Sequence, residues 1–228
     1  MKMKILVRLL CFLMVALFSS QVVASDARLF KGWDYGDSID SFPRSQGYYD
    51  CSADMGALAL CKENVEFLSL NFFSVLYFND DQTLGNVSLI ADFSPDVYAS
   101  VVGALSRDFA LVYMEGDRDR FDFIKKLNSG EFDGSQQVTE TITRFENTQL
   151  TNGYLDIVYF EADFAKQWSS FSDYQDMLFS IPEDVRAAEV IVYYNDVWGP
   201  TIEVSFNLPG KSLQRAKQQV QSAPVEDF

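Results

Sequence analysis

The chain has 228 residues, a formal net charge of −15 at neutral pH and no histidine. The excess of acid repels the phosphate backbone of nucleic acids and the headgroups of anionic lipids, which makes both poor partners. The absence of histidine excludes the catalytic triads that depend on it, histidine general bases and histidine-bound zinc. Because 48% of the residues are hydrophobic, the chain can bury a core and is not a disordered protein.

The first 24 residues have the three-part pattern of a secretory signal peptide. An apolar run over residues 9–18 follows a basic start, and Ala24 ends a stretch of small residues. The basic residues are Lys2, Lys4 and Arg8. The run is about half as long as a membrane span, and Cys11 inside it lacks the small residues that precede a lipoprotein cysteine. We predict cleavage between Ala24 and Ser25, and a mature protein in the periplasm of a Gram-negative bacterium or outside the cell.

Two cysteines remain after removal of the signal, Cys51 and Cys61. Export places them in an oxidising compartment, where thiols pair. The alternative is a redox-active pair, but such motifs separate their cysteines by two residues, and the separation here is much larger. We therefore predict a structural disulfide that stabilises the fold by about 2–3 kcal/mol.

Strand patterns dominate the chain after a polar N-terminal segment over residues 25–50. Residues 65–70, 72–78 and 84–91 are predicted to form a three-stranded meander, with a polar turn over residues 79–82. Apolar side chains fill both alternating sets of residues 72–78, so we expect this strand to be covered on both faces and to lie centrally in the sheet.

Helical patterns interrupt the strands at three places. Ser94 followed by Pro95 predicts the start of the first helix, since serine caps helices and proline suits the first helical position. Residues 109–114 then have the pattern of a strand and residues 120–127 that of a short helix. Helical spacing of apolar residues returns over residues 168–181.

Two hairpins are predicted in the second half of the chain. Asn152-Gly153 separates residues 141–150 from residues 154–161, and Asn-Gly between two such segments is a strong hairpin signal. A last hairpin is predicted over residues 189–206, whose second strand alternates cleanly between apolar and polar residues.

Hairpins punctuated by single helices indicate an α+β fold with a mainly antiparallel sheet rather than a doubly wound parallel one. We predict a single domain over residues 25–210, followed by a polar C-terminal tail over residues 211–228. A meander plus a helix and a hairpin plus a helix recur along the chain, so residues 28–115 and 116–210 could be similar sub-units. The residues themselves show no self-similarity that establishes a duplication.

Four segments of the first half resemble small exported bacterial domains of uncharacterised function. The segments are residues 30–38 (FKGWDYGDS), 65–68 (VEFL), 75–79 (VLYFN) and 84–89 (LGNVSL). They are similar to the β-lactamase-inhibitor-like and outer-membrane-assembly-lipoprotein modules over about residues 28–115, and more faintly over residues 142–160. The resemblance implies a protein-binding or envelope-associated module that is not an enzyme. The chain lacks the lipobox cysteine of tethered assembly proteins, which argues against that role.

Aromatic side chains are the candidates for a binding surface. Trp33 and Tyr35 lie in the N-terminal segment, and Trp198 lies in the loop of the last hairpin. A sugar or a peptide could stack on such rings, because exposed tryptophan and tyrosine are typical of binding surfaces. The alternative for Trp33 and Tyr35 is that they cover the core, whereas the loop position of Trp198 suits binding as well as packing.

The sequence has no motif that assigns catalytic, metal-binding or cofactor-binding residues. Acidic pairs such as Asp80 and Asp81 are typical of solvated turns, and none has the spacing of a calcium loop. Gly32 and Gly36 lack the lysine-serine pair of a phosphate loop. With no histidine and no free thiol, the remaining catalytic options are a serine–lysine dyad or paired carboxylates, as in glycoside hydrolysis.

We therefore expect an exported, non-enzymatic module that binds a protein or another envelope component, with no cofactor and no membrane span in the mature chain. The alternative is a carbohydrate or cell-wall hydrolase that uses paired carboxylates. A structural or secretion-system accessory protein is a third option. No sequence feature fixes the oligomeric state.

Overall fold

The computed structural model describes residues 28–222, so the predicted signal peptide and its cleavage site lie outside the described residues. Within that range the fold is α+β, with seven helices and eleven strands. The strands are β1 Arg28–Phe30, β2 Trp33–Asp34, β3 Tyr49–Asp50, β4 Ala59–Phe67, β5 Leu70–Phe78, β6 Leu84–Asp92, β7 Phe109–Gly116, β8 Arg120–Asp122, β9 Tyr154–Glu161, β10 Ala187–Asn195 and β11 Gly199–Asn207. The helices are α1 Ser52–Met55, α2 Pro95–Leu105, α3 Phe123–Asn128, α4 Ser135–Asn152, α5 Ala162–Ala165, α6 Tyr174–Phe179 and α7 Pro209–Ser222.

Nine strands form one antiparallel sheet in the order β3-β4-β5-β6-β11-β10-β9-β7-β8. Two meanders of consecutive strands, β4 to β6 and β9 to β11, meet where β6 pairs with β11. The edge strands are short, with two residues in β3 and three in β8. They therefore pair with only two residues of β4 and three of β7.

One face of the sheet, which we call the closed face, carries the main hydrophobic core. Alternate side chains of the central strands, including Leu76, Val204 and Ile157, are fully buried there. Val101 of α2 and Phe145 of α4 pack against the same cluster. Burying each such aliphatic side chain stabilises the fold by about 1.5–3 kcal/mol, so this layer supplies most of the folding free energy.

The other face, which we call the open face, is covered at its two ends. At the β4–β5 end, the Cys51–Cys61 disulfide and α1 pack near Val75 and Ile90. At the β7–β9 end, side chains of α3, α5 and α6 form a second cluster on the sheet. Those side chains are Ile124, Phe164 and Met177. Between the two ends, the strand residues of this face are mostly polar and partly exposed.

The structure confirms the predicted disulfide, with the Cα atoms of Cys51 and Cys61 5.8 Å apart. It also confirms the start of α2, where the Ser94 hydroxyl accepts a hydrogen bond from the Val97 amide at 3.2 Å. Strand β5 is covered on both faces as predicted, because its two alternating sets of side chains enter different hydrophobic clusters.

The predicted hairpin around Asn152-Gly153 is wrong. Residues 141–150 belong to α4, which ends where Gly153 takes a left-handed conformation with φ 90° and donates its amide to the Gln149 carbonyl at 3.0 Å. Asn-Gly serves equally well as a helix end, since glycine adopts the left-handed cap at no steric cost. Ile142 and Phe145, which pack on the core, are three residues apart, and this helical spacing distinguishes a helix from a hairpin strand here.

Two predicted helices are shorter than their patterns indicated. The first part of residues 120–127 is strand β8, and the Asp122 carboxylate then caps α3 by accepting from the Lys125 amide at 2.9 Å. Residues 168–181 divide into a 3₁₀ turn and α6, because the Asp173 carboxylate caps a new helix start. Aspartate side chains that bind nearby amides favour caps over helix interiors.

The last hairpin is confirmed as β10 and β11. The residues of β11 predicted to face inward, Ile202, Val204 and Phe206, are buried on the closed face. Helix α7 covers the first part of the predicted polar tail. Within residues 28–222, no helix combines the length and the apolar character that a membrane crossing requires.

Candidate functional site: an acidic strip and a tryptophan groove on the open face

Strand register aligns the residues of the open face into rows that cross the sheet. One row runs from β5 to β8 through Phe73, Ile90, Glu203, Ile191, Asp156, Glu115 and Arg120. The neighbouring row runs through Val75, Ser88, Ser205, Glu189, Val158, Tyr113 and Asp122. Residues far apart in sequence therefore become direct neighbours in the middle of this face.

Four carboxyl groups form a continuous strip across β11, β10, β9 and β7. We call Glu203, Glu189, Asp156 and Glu115 the acid strip. Glu189 lies diagonal to both Glu203 and Asp156, while Asp156 faces Glu115 directly. Because neighbouring strands lie about 4.8 Å apart, the strip spans about 14 Å.

Asp156 is the most perturbed group of the strip. Burial raises the pKa of Asp156 to about 8, and the nearby negative charge of Glu189 and a hydrogen bond between the two carboxyls add to the increase. The negative charge of Glu115 raises the pKa of Asp156 further. The Oδ1 atom of Asp156 is buried and has no hydrogen-bond partner among the described residues. Asp156 is therefore protonated at neutral pH, since two adjacent carboxylates resist carrying two charges.

The two ends of the strip have different hydrogen-bond partners. Burial raises the pKa of Glu203, while hydrogen bonds with Ser88 and Tyr193 oppose the increase. Glu115 accepts a hydrogen bond from the Tyr113 hydroxyl at 3.0 Å and pairs with Arg120 at 3.2 Å. Within residues 28–222, the other three carboxyls of the strip form no salt bridge with lysine or arginine.

Tyrosine rings flank the acid strip. Tyr113 and Tyr174 stack with their ring centroids 4.5 Å apart, and Tyr193 faces Tyr154 across β10 and β9. Burial raises the pKa of Tyr113 to about 12, with Glu115 adding to the increase, so its hydroxyl remains a donor at neutral pH. Rings that combine a flat apolar face with a polar tip are suited to holding a ligand in a wet groove.

A cleft of about 910 Å³ opens at the β7 end of the strip, between the sheet and helices α3 and α6. Its walls combine acidic, basic and aromatic side chains. Those at the strip are Tyr113, Glu115, Arg120, Asp156, Tyr174 and Glu189. The cleft therefore places a protonated carboxyl and an ion-paired carboxylate beside a space large enough for a small ligand.

A second, more apolar groove lies at the other end of the open face. Its volume is about 410 Å³, and we call it the tryptophan groove. Trp198 is 49% exposed and meets Phe73 edge to face, with the ring centroids 6.2 Å apart. Met55 of α1, the disulfide and Ile90 complete the apolar lining, while the acids Asp54, Glu63 and Asp92 lie around it.

Local hydrogen bonds fix the loop that presents Trp198. The Asn195 side-chain oxygen accepts from the amides of Val197 and Trp198, at 2.8 and 3.0 Å. Asparagine is favoured in such loops because its side chain replaces a backbone acceptor. The tryptophan is thus held over the groove by the loop geometry and by its contact with Phe73.

The structure places the three predicted aromatic residues in two different regions. Trp33 packs against Phe30 and donates its indole N–H to the Tyr48 hydroxyl at 3.0 Å. Tyr35 also packs on the main core, with the Lys211 ammonium 5.0 Å from its ring centre. Neither lies beside Trp198, so the structure does not bring the three residues together.

Sequence reasoning missed the acid strip. Three of its members occupy polar positions within predicted strands, where an acid normally indicates solvent exposure, and Glu115 lies just beyond the strand predicted over residues 109–114. The available signal was the recurrence of an acid on β7, β9, β10 and β11, but only the strand order shows that these acids are neighbours. Within residues 28–222, no group of three or more suitable side chains is arranged to hold a metal ion.

Comparison with family models, with curated proteins and with solved structures finds no match for this chain. The resemblance to β-lactamase-inhibitor-like and outer-membrane-assembly-lipoprotein modules therefore stays a prediction that rests on the four sequence segments.

Proposed function

We propose that this protein is an exported, non-enzymatic binding module whose partner protein or envelope component docks on the open face of the sheet. The observation that carries the proposal is Trp198, a half-exposed tryptophan held over an apolar groove. Protein interfaces are typically centred on such aromatic anchors, which fill a pocket in the partner or offer a flat surface to it.

The surroundings of Trp198 support the proposal. Val197 is 83% exposed and Tyr194 68% exposed, so the end of the β10–β11 hairpin presents several apolar side chains to solvent. Grouped exposed apolar residues mark interaction sites more often than single ones do. Export rests on the signal pattern of the first 24 residues, and the disulfide is compatible with an oxidising compartment.

Replacing Trp198 with alanine is expected to reduce capture of a partner from an envelope extract by roughly 30-fold, the effect of losing about 2 kcal/mol at an interface anchor. The measurement is a crosslinking pull-down with the mature protein as bait. Trp198→Phe should retain part of the capture, and Val220→Ala, an exposed apolar change on α7, should retain all of it. Equal capture by Trp198→Ala and the natural protein would reject the groove as the docking surface.

One observation favours the alternative, a carbohydrate or cell-wall hydrolase. Asp156 keeps its proton at neutral pH, while the facing Glu115 is held by Tyr113 and Arg120. Directly opposed side chains have Cβ atoms about 4.5–5.5 Å apart, near the carboxyl separation of about 5–5.5 Å in retaining glycosidases. In this role Asp156 would donate the proton and Glu115 would attack the sugar.

The hydrolase candidate predicts that the mature protein releases reducing ends from peptidoglycan or from a mixed panel of glycans. Asp156→Asn and Glu115→Gln should each lower that rate by at least about 100-fold, since each removes one of the two reacting groups. Asp184→Asn is the exposed control. Release that is absent, or unchanged in both variants, would eliminate the hydrolase and leave the binding module.

A further inference from the structure

We infer that the open face binds a partner segment that carries an apolar residue and a lysine or arginine, with the apolar side chain in the tryptophan groove and the cation over the Asp156–Glu189 pair. The inference rests on the proposed function and specifies the chemistry and the spacing of what docks there.

Charge complementarity identifies the cation, because the two cavities are lined by nine acids and three basic side chains, Arg120, Lys125 and Lys126. The acids beside the tryptophan groove and three members of the acid strip form no salt bridge with lysine or arginine in the described part of the chain. Those acids are Asp54, Glu63, Asp92, Glu203, Glu189 and Asp156. The six salt bridges between described residues all involve other acids, and Glu115 alone of the strip takes part in one. A partly buried carboxylate attracts a cation more strongly than an exposed one because water screens it less.

The apolar part of the ligand is set by the groove. Phe73, Met55 and Ile90 line it together with the half-exposed ring of Trp198. A leucine-sized or aromatic side chain placed there would remove apolar surface of both partners from water. Acids around an apolar groove favour an apolar residue that has basic neighbours over one with acidic neighbours, because like charges across an interface weaken binding.

Strand register fixes the spacing between the two contacts. Ile90 in the groove and Asp156 in the strip belong to the same cross-strand row, separated by β11 and β10. Three strand spacings amount to about 14 Å. An extended segment covers this distance in about four residues and an α-helix in about nine or ten. The ligand therefore crosses the strands instead of running parallel to them.

The pH dependence gives a readout that packing alone would not produce. A cation bound beside Asp156 favours its ionised form, so binding releases a proton below the free-state pKa of about 8. Affinity should therefore rise between pH 6 and 8, by up to about tenfold per pH unit. Several titratable groups line the cleft with Asp156 or act on its charge. They are Glu189 on β10, Glu115 and Tyr113 on β7, Arg120 and Asp122 on β8, Tyr154 on β9, Lys125 and Lys126 on α3, Glu131 and Asp173 in the loops, and Tyr174 on α6.

The test uses end-blocked synthetic peptides and titration calorimetry with the mature protein. One peptide places leucine and lysine four positions apart in a serine-threonine background, and a second places them nine apart in an alanine-rich helical background. Matched peptides replace the lysine with glutamine. At pH 8 we expect one of the two lysine peptides, the extended or the helical one, to bind at least tenfold more tightly than its glutamine match. The ratio of the two affinities should be smaller at pH 6.

Two variants separate the contacts. Asp156→Asn should reduce the preference for the lysine peptide over its glutamine match and remove most of its change between pH 6 and pH 8, because only Glu189 of the pair remains, while Trp198→Ala should weaken both peptides. Equal binding of the lysine and glutamine peptides overturns the inference. Spermidine that binds as tightly as the lysine peptide, with an affinity that Trp198→Ala does not change, also overturns it. If an extract partner is captured through Trp198 but no lysine preference exists, the proposed function stands and this inference fails.

Discussion

At pH 7 the Asp156→Asn variant is expected to be more stable than the natural protein, by about 2 kcal/mol, which is roughly half of what the full pKa shift would give because Asp156 is partly exposed and solvent screens it. The pKa of Asp156 is about 8 in the folded protein, because of burial and the neighbouring Glu189, against an ordinary value of 3.8. Between these values, unfolding releases a proton, so the free energy of unfolding falls as pH rises. Asparagine has nearly the shape of the protonated acid and removes this pH-dependent loss.

The measurement is urea unfolding at pH 5 and pH 8. The natural protein should lose stability between the two values, and the loss should be clearly smaller in Asp156→Asn. Some dependence should remain in both proteins, since burial also raises the pKa of Glu203. Asp184→Asn, an exposed change outside the strip, should behave like the natural protein. Identical pH dependence in all three proteins would show that Asp156 is not held protonated by its surroundings.

Replacing Cys51 and Cys61 together with serine is expected to lower the free energy of unfolding by about 2–3 kcal/mol. The bond closes a loop with a sequence separation of 10, and a loop of this size restricts the unfolded chain by about that amount. Helix α1 has only four residues and lies inside this loop. We expect the contact of Met55 with the Tyr77 hydroxyl, 3.7 Å from its sulfur, to loosen, which would widen the tryptophan groove.

Urea unfolding with and without reductant measures this contribution. Reductant should shift the natural protein to the midpoint of the double serine variant and leave the variant itself unchanged. The emission of Trp198 should also move toward that of a solvent-exposed indole in the reduced protein, although Trp33 and Trp168 contribute a constant background. A natural protein that unfolds at the same urea concentration in both conditions would show that the bond adds no stability.

The acid strip has a thermodynamic cost that bears on its role. Holding Asp156 next to Glu189 makes the folded state less stable at neutral pH, whereas a neutral side chain would remove that cost. Groups that lower stability are common at sites of function, because binding or catalysis needs charges that the fold alone would not favour. The strip is therefore better explained by a ligand than by folding.

Much of the fold was predictable because its signals are local. The Ser94–Pro95 start of α2, the strands β5 and β6 and the last hairpin depend on caps, turns and alternation within a few residues. The first strand of the meander was predicted at residues 65–70, which is wrong: β4 is Ala59–Phe67, and Leu68 and Ser69 form the turn to β5 with positive φ. Helix α4 was missed because Asn152-Gly153 fits both a hairpin turn and a helix end. The helical spacing of Ile142 and Phe145 distinguishes the two, but the weakly apolar face of this helix makes that spacing faint.

The candidate site was predictable only in part, for a reason of topology. Trp198 could be identified because it lies in a short loop between two strong strands. The neighbourhood of Glu189, Asp156 and Glu115 depends on β9 pairing with β10 on one side and with β7 on the other. That order joins residues from distant parts of the chain, and no local pattern encodes it. The register that aligns Ile90 with Asp156 follows from the pairing of β6, β11, β10 and β9.

Site-specific photocrosslinking tests the central claim, that a partner docks on the open face, most directly. A photoreactive side chain would replace Val197, at the end of the hairpin beside Trp198, or Ala99, exposed on α2 over the closed face. In envelope extract we expect one defined adduct from position 197, lost on Trp198→Ala, and none from position 99. The same adducts from both positions, or an adduct from position 99 alone, would contradict the assignment of the open face as the docking surface.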